Sequence, residues 1–305
     1  MSTLISASGL TKQYGSKLAL NNVSFEINKG APVALVGPNG AGKTTLFSLL
    51  CGYIFPSAGQ LSILGSAAGS HRLFGQLAAL PQDAQLDPRF SIIHQLTFYG
   101  QLQGFGKSKA KQESQRVLEL VGLSDVANQR PKDLSHGMRK RVTIGQALFG
   151  EPQIVMLDEA TAGLDPIHAR EVRELVSSLS SETTFILSSH DLSELERLCG
   201  QVLHLDQGVL TEHSVEHGAQ TQATDNRHFI TLQLAQQYQG IEQVLQGLQN
   251  VSHVYMSQAK EYVIEYKKSA QAFDILLLQC CHENGWQYRQ LVNGNTLENQ
   301  IFHKE

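Results

Sequence analysis

No stretch of this 305-residue sequence reaches the ~18 consecutive apolar residues that a bilayer-crossing helix requires. Excess cation is also missing: 24 Lys and Arg stand against 28 Asp and Glu, for a formal charge of −4. Binding to a phosphate backbone needs clustered positive charge, so nucleic acid is not an expected partner. The four cysteines, at 51, 199, 280 and 281, have no spacing that suggests a zinc site or a disulfide framework, and this usage fits a reducing cytoplasm. The opening residues MSTLISASGL lack the basic stretch and apolar run of about 7–15 residues that mark a secretory signal. A chain of this kind that works at a membrane must dock onto a protein embedded in it.

What is present is ample apolar material, 41% of residues, and a length sufficient for two domains of roughly 100–200 residues each. Residues 4–27 alternate apolar and polar around Tyr14-Gly15-Ser16, which predicts an antiparallel β subdomain. PVALVG then forms a short apolar run, and helical spacing begins at Thr44. From about residue 90 a helical subdomain is expected, with an amphipathic helix over 107–121 and a further helix from Ser135. Strand-like runs at 154–158, 184–189 and 201–210 alternate with helices, the pattern of a mixed α/β sheet. Residues 211–227 are polar and are read as a linker, dividing the chain into domains 1–215 and 216–305. Beyond it the order strand (228–234), helix (235–250), strand (251–258), strand (261–268), helix (269–285), strand (288–293) predicts a small α+β ferredoxin-like domain.

Chemistry concentrates in the first part. Gly37-Pro38-Asn39-Gly40-Ala41-Gly42-Lys43-Thr44 fits GxxxxGK followed by Ser or Thr, and it stands between a predicted strand and a predicted helix. Glycines let backbone N–H groups turn toward a phosphate, and the helix N-terminus favours negative charge. Lys43 neutralises the β and γ oxygens, and the Thr44 hydroxyl ligates Mg²⁺. With Thr45 these residues form the candidate nucleotide site. In IVMLDEA four apolar residues deliver Asp158 and Glu159 at a strand end. Asp158 is assigned to the Mg²⁺ shell and Glu159 to orienting and deprotonating an attacking water.

At this point the chain resembles the ABC ATPase family of P-loop NTPases, because further markers follow in that family's order over roughly residues 3–215. Gln82 matches the Q-loop glutamine, which the resemblance places on Mg²⁺ or the attacking water and in communication with membrane subunits. Leu134-Ser135-His136-Gly137-Met138 resembles the LSGGQ signature, Ala162-Gly163-Leu164-Asp165 the D-loop, His190 the switch histidine and Tyr14 the aromatic that stacks on adenine. The resemblance implies Glu159, His190 and Gln82 as catalytic residues, Thr44, Gln82 and Asp158 as metal ligands, and Tyr14, Ser135 and Gly137 as further nucleotide contacts. It implies ATP and Mg²⁺ as ligands and a composite site shared with a second cassette, expected as a homodimer. It also implies an integral membrane permease as partner and a place on the cytoplasmic face of the inner (plasma) membrane through that permease. The sequence departs from the pattern at His136 and Met138 in the signature and at Ala160 after the acidic pair. The C-terminal segment, ending TLENQIF, more faintly resembles the accessory domain of exporter-type bacterial ATPases. Asp165 before Pro166 reads in addition as a helix N-cap. The basic run Arg139-Lys140-Arg141 reads as a solvated helix face.

Overall fold

A computed structural model of the chain describes residues 2–189, 192, 195, 198–214, 227–267 and 272–294. The chain divides into two units, Met1–Val215 and Glu216–Glu305. In the first unit, β1 (Thr3–Tyr14) and β2 (Lys17–Asn28) pair antiparallel across the turn at Gly15-Ser16. Alternation, reset by register shifts between Ala7 and Leu10 and between Leu10 and Lys12, puts Ile5, Leu10, Leu20 and Val23 into the core. With β4 (Ala58–Ile63) and β5 (Ser66–Ala67) they form a four-stranded antiparallel sheet of order β2-β1-β4-β5.

A six-stranded sheet carries the rest: β3 (Val33–Val36), β6 (Leu77–Leu80), β7 (Ile154–Asp158), β8 (Thr184–Ser188), β9 (Gln201–Asp206) and β10 (Val209–Ser214). Its order is β10-β9-β3-β8-β7-β6, parallel except for β10. Strands β3, β7 and β8 read as continuous apolar runs because, in the middle of a parallel sheet, both faces are covered. Helix α1 (Lys43–Leu50) drops Leu46, Leu49 and Leu50 into the core shared with Ile5, Phe25 and Leu203. The helical insertion consists of α2 (Ile92–Leu102), α3 (Lys107–Leu120) and α4 (His136–Ala147), and α5 (Pro166–Leu179) follows β7.

The run 201–210, expected as one strand, is a hairpin. Gln207 and Gly208 both take positive φ, 47° and 80°, the two-residue turn that suits the twist of paired strands. Apolar residues on both sides conceal the break in the sequence. Strand β10 extends to Ser214, so the start of the expected linker is sheet edge, and residues 215–226 lie outside the described residues.

In the second unit β11 (Arg227–Leu234), α6 (Ile241–Gln246), β12 (Val251–Gln258), β13 (Glu261–Lys267), α7 (Phe273–Glu283) and β14 (Tyr288–Asn293) follow one another. The sheet is antiparallel with order β12-β13-β11-β14. Ile230, Leu232, Ile264, Leu277 and Trp286 form its core, and Cys280 and Cys281 are buried in it. The helix expected over 235–250 is only six residues long: Gly240 at φ 72° sets its start, and Gly247 stands at its C-cap.

Candidate functional site

The loop between β3 and α1 is the phosphate loop of the motif, and its glycines are required by both conformation and space. Gly37 and Gly42 have φ of 149° and 113°, which L side chains rarely adopt. A Cβ on Gly37 would lie 2.0 Å from the Leu205 carbonyl oxygen, and one on Gly42 would lie 2.5 Å from the Ala19 carbonyl oxygen. The turn of the β9–β10 hairpin supports the loop directly, since the Gly208 amide donates to the Ala41 carbonyl at 3.1 Å. Sequence reasoning missed this buttress because it took the hairpin for a single strand.

Helix α1 begins at Lys43 with Gly42 as its N-cap, so the first-turn amides, Thr44 and Thr45 among them, are free of intrahelical partners and favour an anion. The Lys43 ammonium folds back over the loop, donating to the carbonyls of Gly37 at 2.5 Å and Pro38 at 3.2 Å. Burial pushes its pKa down, and the charges of Glu159 and Asp158 oppose that shift.

Strand β7 delivers Asp158 at its end, and Glu159 follows at φ 50°. Left-handed backbone at a non-glycine residue is uncommon and collects at functional positions. Ser188, at the end of the neighbouring β8, donates its hydroxyl to Asp158 Oδ1 and accepts the Glu159 amide at 3.1 Å. Glu159 is buried.

Tyr14, Pro38, Asn39, Gly40, Gly42, Lys43, Thr44, Thr45, Gln82, Asp158 and Glu159 all line one cavity of about 270 Å³. Gly37 and Ala41 belong to the same loop without facing the cavity. Lys17 and Ala19, not singled out from the sequence, also line it. Tyr14 is half exposed at its edge, with the Lys12 ammonium 5.1 Å from the ring centroid. The Thr44 hydroxyl, the Asp158 carboxylate and the Gln82 amide bring hard oxygen donors to one space, the donor type that Mg²⁺ takes. His190 lies outside the described residues.

Ser135 and Gly137 do not reach this cavity. Ser135 is exposed and caps α4, its Oγ accepting the Met138 amide at 3.2 Å. Asp165 caps α5 in the same manner, accepting the amides of Ile167 and His168 at 3.0 and 3.1 Å, with Pro166 in the first turn. The Asp165 cap was legible in the sequence; for Ser135 the sequence reading gave the start of a helix, and the structure shows the side chain capping it. The basic run was misread. Arg139 donates to the carbonyls of Leu134 and Pro131, and Arg141 donates to Val121 at the end of α3 and faces Glu171 of α5 at 3.6 Å. Helix α4 packs against its neighbours, so these long stems lie over protein while their heads satisfy carbonyls at the ends of other elements. Lys140 is partly buried as well; burial lowers its pKa, and the negative charges of Asp158 and Glu159 act against this.

A family model described as "ABC transporter" matches residues 20–162. The Nod factor export ATP-binding protein I of Rhizobium sp. (strain N33) is 36% identical over 208 residues, 67% of this chain and 68% of the relative. The chain belongs to the ABC transporter ATP-binding family. A linearmycin resistance ATP-binding protein of Bacillus subtilis (strain 168) is 33% identical over 210 residues, 68% of each chain. A solved ATP-binding subunit of an ABC transporter superposes with a TM-score of 0.62 at 26% identity, over 70% of this chain and 90% of that one. The first unit is thus an ABC cassette with the P-loop NTPase fold, and the chain is an ABC-type ATPase that binds nucleotide. No helix among the described residues is long and apolar enough to cross a membrane.

Proposed function

We propose that this chain is the ATP-hydrolysing subunit of an exporter, driving a separately encoded membrane permease through ATP-dependent closure and opening of a cassette dimer. One observation carries the reading: the cavity gathers Lys43, Gln82, Asp158 and Glu159, while Ser135 stands exposed at the start of α4 and outside that cavity. A second chain is then needed to bring a signature serine and Gly137 to the γ-phosphate.

Within the site, Tyr14 stacks on the base and the phosphate-loop amides and Lys43 hold the β and γ oxygens. Glu159 orients a water for in-line attack on the γ phosphorus and takes its proton, assisted by Gln82 and His190, and ADP and phosphate leave. Thr44, Asp158 and Gln82 would hold Mg²⁺, which when bound would supply positive charge against the phosphate oxygens. Charge-assisted hydrogen bonds contribute about 1.5–3 kcal/mol each, so contacts to two γ-phosphates amount to several kcal/mol of closure that hydrolysis removes.

The exporter reading draws on the names of the two relatives. A groove of about 360 Å³, lined by Leu73, Phe74, Leu80, Gln103, Gln146 and Phe149 with Phe74 exposed, is where a permease segment would seat. The second unit is assigned as the accessory domain, and the chain to the cytoplasmic face of the membrane through the permease.

The deciding experiment uses Glu159→Gln, which keeps the side-chain shape and removes the base. Size-exclusion chromatography with light scattering is expected to show a dimer with ATP and a monomer with ADP or no nucleotide. A monomer in all three conditions would overturn self-pairing, and hydrolysis at the parent rate would overturn Glu159 as the base. Copurification of an integral membrane protein tests the permease.

A further inference from the structure

The turn that carries Ser135 and the turn that carries Asp165 meet in this chain through one side chain that neither motif includes. His168, in the first turn of α5, faces Asp165 Oδ2 with its Nδ1 at 2.5 Å. The cap of α5 does not need this bond, because Asp165 Oδ1 already accepts both amides. The imidazole also lies over Gly137 in the first turn of α4. A Cβ built on Gly137 would come within 2.6 Å of His168 Cγ and Cδ2, so only the missing side chain lets the ring approach. The same loops also come close at a second place, with His136 Cε1 3.6 Å from where a Cβ on Gly163 would stand. The His168 hydrogen bond is also the main reason that the Asp165 carboxyl is held below the usual carboxylate range.

We propose that His168 is a positioning residue, a strut whose ring bears on Gly137 and whose Nδ1 grips Asp165, so that the signature turn and the D-loop of one chain move together. Resting on the two-cassette reading above, this makes a shift of the D-loop against one composite site displace the signature serine that the same chain offers to the other. Coupling of this kind requires a packed element with a defined arrangement, and the ring, set between Asp165 and Gly137, supplies it.

The test separates the two contacts in the full chain. His168→Phe keeps a ring without the donor, His168→Asn keeps a donor near the Nδ1 position without the ring, and His168→Ala has neither. Hydrogen–deuterium exchange is measured without nucleotide at the amides of Met138 and Arg139, which bond to Ser135 Oγ and the Ser135 carbonyl. All three variants are expected to exchange there about fivefold faster or more. Amides in the later turns of α5, around Val176, should stay at the parent rate, which a general loss of helix stability would not allow. Parent-like exchange at Met138 and Arg139 in His168→Ala would overturn the strut, as would full rescue by either single-contact variant. In the Glu159→Gln background the same variants should weaken ATP-driven dimerisation about tenfold. Faster exchange with no ATP-driven dimer even in the Glu159→Gln parent supports the strut and counts against self-pairing instead.

Discussion

Ser188 holds Asp158 by donating its hydroxyl to one carboxylate oxygen, and the same hydroxyl oxygen receives the Glu159 amide. A single buried serine on β8 therefore sets where both carboxylates stand at the end of β7. Removing the hydroxyl takes a donor from the Asp158 carboxylate, while the Glu159 amide keeps only its second acceptor, the Ser188 backbone carbonyl at 3.2 Å.

Ser188→Ala is expected to lower kcat for ATP by about tenfold or more, since an unsatisfied buried partner costs about 1–3 kcal/mol. Ser188→Thr, which keeps the hydroxyl, should recover most of the loss. Steady-state ATPase assays beside a melting curve check this. Equal kcat in the parent and the alanine variant would show that the carboxylates hold their places without the serine.

The phosphate loop allows a comparison of two failures. Lys43→Ala removes the main side-chain counterion of the phosphates and should abolish turnover and weaken nucleotide binding, with little change in melting temperature. Gly37→Ala places a Cβ 2.0 Å from the Leu205 carbonyl oxygen at a φ of 149°. It should disturb the β9–β10 hairpin as well as the loop and lower stability by about 1–3 kcal/mol. Calorimetry and nucleotide titration distinguish the two; a Gly37→Ala protein with parent stability would contradict the packing described.

Between Gln82 and α2, the loop is anchored by the buried Gln95, which bonds the amide and carbonyl of Asp87 and the carbonyl of Phe90 at 2.7, 3.0 and 3.0 Å. Hydrogen bonds from the Arg89 guanidinium and amide pull the Asp87 carboxyl from 3.8 to about 2. A carboxyl depressed in the folded state contributes stability above its unfolded value, and the contribution is lost as pH falls through the folded value. The Asp87–Arg89 pair should therefore be intact above pH 3.8 and lost as pH falls toward about 2. Carboxyl carbon NMR of Asp87 reads this directly, and Arg89→Ala should return the midpoint toward 3.8. An unchanged midpoint in that variant would remove Arg89 as the cause.

Each unit has a hydrophobic core of its own, so deleting residues 216–305 should leave a soluble cassette that binds ATP with parent affinity. Isothermal titration with the truncated chain measures this. Loss of binding would mean that the second unit completes the nucleotide site.

The sequence by itself determined much of what depends on neighbours a few residues away, though not the Gln207-Gly208 turn inside 201–210 or the shortness of the helix Ile241–Gln246. Glycines at 37, 40 and 42 before Lys43 specify a phosphate loop because positive φ and the helix start are local matters. Ser135 and Asp165 cap their helices for the same reason, and the apolar runs of β3, β7 and β8 mark strands buried on both faces. Tertiary structure alone decided which loops meet. Ser188 reaches Asp158 because β8 lies beside β7, and Gly208 supports Ala41 because β9 lies beside β3, as the order β10-β9-β3-β8-β7-β6 dictates. His168 bears on Gly137 only because α4 and α5 pack together. Periodicity and turn chemistry record how each segment lies against an apolar surface, but not which surface it is. Strand order and helix packing are settled by burial summed over the whole cassette, and the contacts that position Asp158, Glu159 and the signature turn come from that sum.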